Sequence, residues 1–174
     1  AMRLEHDLLG ELSVPKDAYW GVHTARASEN FFISGVPIGH YRSLVRALGF
    51  IKEASALANH DLGELPTDIF EPIRKACIEV RNGQFDSEFI VDAIQGGAGT
   101  STNMNANEVI ANRALEHAGY AKGEYEHIHP LNHVNMSQST NDVYPTAVKV
   151  ALIIEIYALI DEMKKLREAF AAKG

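Results

Sequence analysis

The stretch Val150-Ala-Leu-Ile-Ile-Glu-Ile-Tyr-Ala-Leu-Ile-Asp-Glu-Met-Lys-Lys-Leu-Arg-Glu-Ala-Phe170 decides how this chain folds. Leu152, Ile156, Leu159, Met163, Leu166 and Phe170 recur at alternating spacings of four and three, a heptad stripe along one helix. Val150, Ile153, Tyr157 and Ile160 form a second row beside it. A helix with two apolar rows packs against more than one neighbour, so the segment reads as a central helix of a bundle. The most apolar part, Ala147 to Ile160, contains only Lys149 and Glu155 as charges. It is too short for a membrane span and is expected to be buried in a protein core, with no membrane partner. No helical pattern follows it within the 174 residues, which leads us to expect either a piece of a longer protein or a stripe covered by partner subunits.

Upstream, the apolar spacing predicts three further helices. Leu44, Leu48, Ile51, Ser55 and Ala58, with Val45 and Ala54 beside them, outline one helix that Gly63 closes. Ile69, Ile73, Cys77 and Val80 outline a second, with Thr67 or Asp68 as its cap, Pro72 near its first turn and Gly83 past its end. A third runs from the small residues near Thr100 to His117, and Gly119 ends it. The first 40 residues are punctuated by Gly10, Pro15, Gly21, Gly35, Pro37 and Gly39 and read as loops with a short strand or two. Residues 119–141 read as a loop.

Composition narrows the function. A net charge of −7, with 16 Lys and Arg against 23 Asp and Glu, speaks against a nucleic-acid footprint. There is no basic and apolar leader at the first residues, and the single cysteine, Cys77, has no partner for a disulfide. Both point to a reduced, cytoplasmic setting. Cys77 itself lies on an apolar stripe and reads as a small core residue. His129 and His133 are four apart, but Pro130 stands between them, so a helical zinc pair is not expected there. No residue set calls for a cofactor or a metal.

The chemistry concentrates at two loop-to-helix junctions. Ser101-Thr102-Asn103 opens one helix and Ser139-Thr140-Asn141 opens another. Each brings hydroxyls and an amide beside free backbone N–H groups at a positive helix end, a ready carboxylate or phosphate site. Gly96, Gly97 and Gly99 allow close backbone approach. If the two ends converge, neutral donors surround one anion without a lysine, which suits a carboxylate whose charge grows during a reaction. The plainer reading is that each tripeptide only caps its helix. A dinucleotide or P-loop site does not fit, because the third glycine and a following Gly-Lys-Ser/Thr are missing.

Three blocks carry a family resemblance. They are Asp17-Ala-Tyr-Trp-Gly-Val-His-Thr-Ala-Arg-Ala-Ser-Glu-Asn-Phe31, Gly96-Gly-Ala-Gly-Thr-Ser-Thr-Asn-Met-Asn-Ala-Asn-Glu-Val-Ile-Ala-Asn112 and His133-Val-Asn-Met-Ser-Gln-Ser-Thr-Asn-Asp-Val-Tyr-Pro-Thr146. In this order and spacing the chain resembles the aspartase/fumarase superfamily, and within it the ammonia-lyase branch. The resemblance implies a mainly α fold: a small helical N-terminal domain over residues 1–140, then the first long helix of a central helical bundle over 141–174. It implies reversible elimination of ammonia from L-aspartate to give fumarate through an aci-carboxylate, in a homotetramer. Thr100, Ser139 and Thr140 would hold the reacting carboxylate, and Asn141 would lie near the amino group or the other carboxylate.

The resemblance also marks what is missing. The catalytic serine loop, Gly-Ser-Ser-x-x-Pro-x-Lys-x-Asn in relatives, does not occur in these residues, so the chain by itself is expected to be inactive. Where many relatives read Pro-Asn-Asp-His, this chain has Pro130-Leu131-Asn132-His133, which removes the basis for a secondary anion site there. The alternative activity is that of class II fumarases, which hydrate fumarate to malate. Their Gly-Ser-Gly-Thr and Gly-Ala-Gln-Thr patterns differ from Gly97-Ala98-Gly99-Thr100 and Gly21-Val22-His23-Thr24. A non-catalytic helical interaction module is the third reading.

Overall fold

A computed structural model describes residues 1–174. The chain begins with a hairpin, β1 (Met2–Asp7) and β2 (Gly10–Pro15), followed by five α-helices: α1 (Val22–Asn30), α2 (Arg42–Asp61), α3 (Thr67–Arg81), α4 (Thr100–His117) and α5 (Thr140–Lys173). The mainly helical fold class is as expected. The hairpin pairs Met2 with Pro15 and Asp7 with Gly10 around the turn residues Leu8 and Leu9, and Gly10, the first residue of β2, takes a φ of 112° that glycine adopts readily.

The first 40 residues differ from expectation. The short strands expected there are the two arms of the hairpin, but Val22–Asn30, expected as loop, is a helix. Its start is capped from a distance. Glu108 accepts from the backbone N–H groups of Gly21, His23 and Thr24, at 2.8, 2.8 and 3.1 Å, and Glu5 accepts from Val22 at 2.8 Å. Two buried acidic side chains therefore satisfy the N–H groups at the positive end of α1, where burial raises the Glu108 carboxyl and those N–H donors act the other way. No local Ser, Thr or Asp announces that cap.

Helix α4 forms the hub, with every residue from Thr102 to Asn112 buried. Its polar side chains tie down the surrounding loops. Asn105 donates to the Glu88 carbonyl at 2.9 Å, and Asn112 donates to the Tyr19 carbonyl at 2.7 Å and accepts from Gly123 N–H at 2.8 Å. Helices α2 and α3 pack as an antiparallel pair, in close enough contact that a Cβ on Gly49 would lie 2.8 Å from the Arg81 backbone nitrogen.

Three expectations shift in detail. The inner face of α2 carries Val45, Leu48, Lys52, Ala56 and Asn59, while Ala54 and Ala58 are exposed. The apolar spacing misplaced that face because two of its inward residues are polar. Helix α3 is preceded by Pro66 at its N-cap and uses no cap from Thr67 or Asp68, and Pro72 is its sixth residue, past the first turn. The loop after α4 contains a π-helical turn, Pro130–Val134.

Helix α5 is 34 residues long, and only Val143 and Ala147 are fully buried. Its first turns pack on α2 and α4. Its last contact with the rest of the chain is at Glu155, whose carboxylate accepts from the Ser43 hydroxyl, and the stripe residues Leu152, Ile156, Leu159, Met163, Leu166 and Phe170 are exposed. The expectation of a helix buried in a core is thus met only over its beginning. By length and composition α5 is the one helix able to cross a membrane, a test that core helices of soluble proteins also pass.

Candidate active-site junctions

At the first junction Gly99 occupies the N-cap of α4 in the left-handed region, at φ 82°. The cap comes from Gln95, whose side-chain oxygen accepts from Thr102 N–H at 2.9 Å. Ser101, Thr102 and Asn103 are thus not the caps of their helix. Thr100 and Ser101 keep backbone N–H groups with no partner in the chain. The Thr100 hydroxyl lies over Gly97, 3.8 Å from where a Cβ there would sit.

At the second junction Ser139 does cap. Its hydroxyl accepts from Asn141 N–H at 3.2 Å. Thr140 opens α5 half-buried, while Ser139 and Asn141 are exposed.

The two junctions meet. The Asn103 amide donates to the Thr140 hydroxyl at 3.2 Å and to Asn135 Oδ1 at 3.0 Å. Because the Thr140 oxygen accepts there, its proton is left to donate elsewhere. A Cβ on Gly99 would fall 2.2 Å from the Tyr144 ring, so only glycine lets α5 lie this close to the α4 cap. Of the four residues assigned from the sequence, Thr140 is joined directly to the first junction, and Ser139 is engaged at its own cap. Thr100 and Asn141 present side chains without a hydrogen-bond partner in the chain.

A residue the sequence reading passed over underlies this arrangement. Lys52 is fully buried with no carboxylate beside it. Its ammonium donates to Asn135 Oδ1 at 3.0 Å and Gln138 Oε1 at 2.9 Å, the residues leading into Ser139. Asn135 Oδ1 also accepts from Asn107 at 3.2 Å. Burial lowers the Lys52 ammonium from its ordinary 10.5 to about 7, with nearby Cys77 acting weakly the other way. The one signal in the sequence was its position, four residues from both Leu48 and Ala56 on the inner face of α2. Thr102 Oγ1, Asn103 Oδ1 and Asn107 Oδ1 are buried beside this network without partners.

The loop histidines serve the backbone. His129 Nδ1 accepts from Leu131 and Asn132 N–H groups at 3.0 and 3.3 Å, and His133 Nδ1 accepts from His129 N–H at 2.9 Å. Burial lowers the pKa of both. Cys77 is buried, and burial pushes its thiol well up.

The family model described as "Lyase" matches residues 10–174. The chain belongs to the lyase family. This lyase chain is 56% identical over 172 residues to an aspartate ammonia-lyase of Pseudomonas aeruginosa, covering 99% of the chain and 36% of that relative. It is 49% identical over 174 residues to an aspartate ammonia-lyase of Escherichia coli K12, again 99% and 36%. Among solved structures, fumarate lyase:delta crystallin from Brucella melitensis bound to cobalt superposes with a TM-score of 0.98 at 52% identity, over 100% of this chain and 38% of that one. A class II fumarase from Schistosoma mansoni gives 0.81 at 38% identity, over 89% and 32%. The lyase chain thus spans about 36% of the length of these curated relatives.

Proposed function

We propose that this lyase chain supplies the carboxylate-binding junctions of an aspartate ammonia-lyase, a cytoplasmic homotetramer that reversibly eliminates ammonia from L-aspartate to give fumarate. The observation that carries the reading is the Asn103–Thr140 hydrogen bond, which joins two helix N-termini into one donor surface. The relatives named aspartate ammonia-lyase, at 49 and 56% identity, support the choice of substrate.

The chemistry follows from the donors. A base takes a proton from the carbon beside the side-chain carboxylate of L-aspartate, and the electron pair passes into that carboxylate. The resulting aci-carboxylate carries more charge on its oxygens than the substrate does, so oriented donors lower the barrier. The hydroxyls of Thr100, Ser139 and Thr140 and the open N–H groups at the start of α4 are those donors, and Asn141 serves the amino group or the other carboxylate. Being neutral, they favour the charge that grows over the charge already present. The base comes from the serine loop of the family, outside residues 1–174. Residues 1–140 act as the N-terminal lyase domain, and residues 141–174 begin the bundle that assembles the tetramer.

The test replaces the matching N-terminal third of the Pseudomonas aeruginosa relative with this chain. The chimera should form fumarate from L-aspartate, and Thr140→Val should lower kcat by roughly 100- to 1,000-fold, as loss of an oxyanion donor does. A folded chimera that leaves aspartate untouched sinks the proposal. One that instead hydrates fumarate to malate favours the fumarase reading, to which the 38% identity with the Schistosoma enzyme lends less support.

A further inference from the structure

A second polar concavity lies away from the junctions, where the start of α2 faces the end of α3. It has a volume of about 400 Å³ and is lined by Arg42, Ser43, Arg46, Arg81, Asn82 and Asp86, among others. Arg42 is ten residues before Lys52 on the same helix, or about 15 Å along its axis, so this cavity is separate from the two-junction site.

Its charge is unusual for an acidic chain. Three guanidiniums line it against one carboxylate, in a protein of net charge −7. Asp86 pairs with Arg42, with Nε to Oδ2 at 3.1 Å. Arg81 pairs with Glu53, with Nη1 to Oε2 at 2.5 Å. Arg46 has no carboxylate partner in the chain. Its guanidinium instead sits 5.6 Å from the Phe50 ring centroid, and that of Arg81 sits 5.0 Å from the same centroid. One aromatic ring thus holds two like charges close together at the cavity wall, with the attraction of the ring offsetting part of their repulsion. Helix α2 adds to the positive field, because its N-terminus has no side-chain cap.

We infer that this cavity is a binding site for a small phosphoryl-bearing molecule. Guanidiniums present several N–H donors in a fixed fork, and three of them on two helices match the oxygens of a tetrahedral anion better than a single planar carboxylate. The Asn82 amide adds neutral donors, whereas the Ser43 hydroxyl already donates to the Glu155 carboxylate. The volume exceeds a single phosphate and leaves room for a second phosphoryl group or for the body of an ester. Asp86 restrains affinity for the anion by competing for Arg42.

The test is calorimetric titration of the chain with inorganic pyrophosphate, with inorganic phosphate and succinate as comparisons. Pyrophosphate should bind at one saturable site, more tightly than phosphate or succinate, and should weaken as salt is raised. Arg46→Gln should weaken pyrophosphate binding at least tenfold. Asp86→Asn should tighten it several-fold, a gain that a misfolded variant does not produce. No saturable binding at millimolar pyrophosphate overturns the inference. So does succinate binding as tightly as pyrophosphate, or an affinity unchanged in both variants.

Discussion

Replacing Lys52 with Met tests the network beneath the junctions, because it keeps the bulk of the side chain and removes the ammonium. Lys52 is fully buried, and its ammonium sits at about 7 in the fold against an ordinary 10.5. Below pH 7 both folded and unfolded chains hold the proton. Above it the folded chain gives the proton up while the unfolded chain keeps it, so stability rises with pH until about 10.5. The slope approaches about 1.4 kcal/mol per pH unit, and integrating one site from pH 7 to 8.5 gives a gain of about 1.6 kcal/mol.

Subtracting the Lys52→Met curve from the wild-type curve isolates Lys52 from groups common to both, including Glu108, whose carboxyl is pushed up by burial. His129 and His133 are held below 6.5, so both are neutral in either state above it. Cys77 acts with the opposite sign, but only as the unfolded thiol ionises near 9.0. Urea unfolding at pH 7, 7.75 and 8.5 should therefore show the wild type gaining about 1.6 kcal/mol relative to Lys52→Met across the interval. The Met variant leaves the Gln138 oxygen without its ammonium donor, at a cost of about 1–3 kcal/mol. It also removes a buried charge, which offsets that cost. The slope is thus the decisive reading. A variant that keeps the wild-type slope refutes the assignment of a depressed Lys52.

Gly99→Ala should destabilise the chain by more than about 2 kcal/mol, since it adds positive-φ strain to a clash with Tyr144, and Tyr144→Ala should recover part of that loss in urea unfolding. Glu108→Gln weakens the cap on three N–H groups of α1, so amide exchange should speed up over Gly21 to Thr24 while α3 stays protected, with a loss of about 2–3 kcal/mol overall. Acidification should open the turn at Pro130–Val134. Burial holds His129 and His133 below 6.5, so their contribution is complete above that pH and is lost as pH falls through their folded values. Amide signals of Leu131 and Asn132 should shift with that titration, and His129→Gln should remove the His129 step.

What could be read from the chain follows from the range of each interaction. Helices α2 to α5 declare themselves by apolar repeats, and Cys77 by its place on one of those repeats. The junction tripeptides stand out because hydroxyl and amide residues precede helical runs. Helix α1 gives no such sign, since the carboxylate that caps three of its N–H groups lies some 85 residues away at Glu108. The inner face of α2 was misread for a related reason. A lysine looks like a surface residue until Asn135 and Gln138 arrive from a distant loop to accept its protons.

By itself the sequence determined the mainly helical class, the double apolar rows of the last helix and the residue types at both junctions, because side-chain period and hydrogen-bonding character are local properties. Only the tertiary structure decided that Asn103 meets Thr140, that Gly99 must be glycine beneath Tyr144, and that Gln95 rather than a hydroxyl caps α4. Those outcomes depend on how two helices far apart in the chain approach one another. That approach is set by the buried Asn and Lys network packed between them.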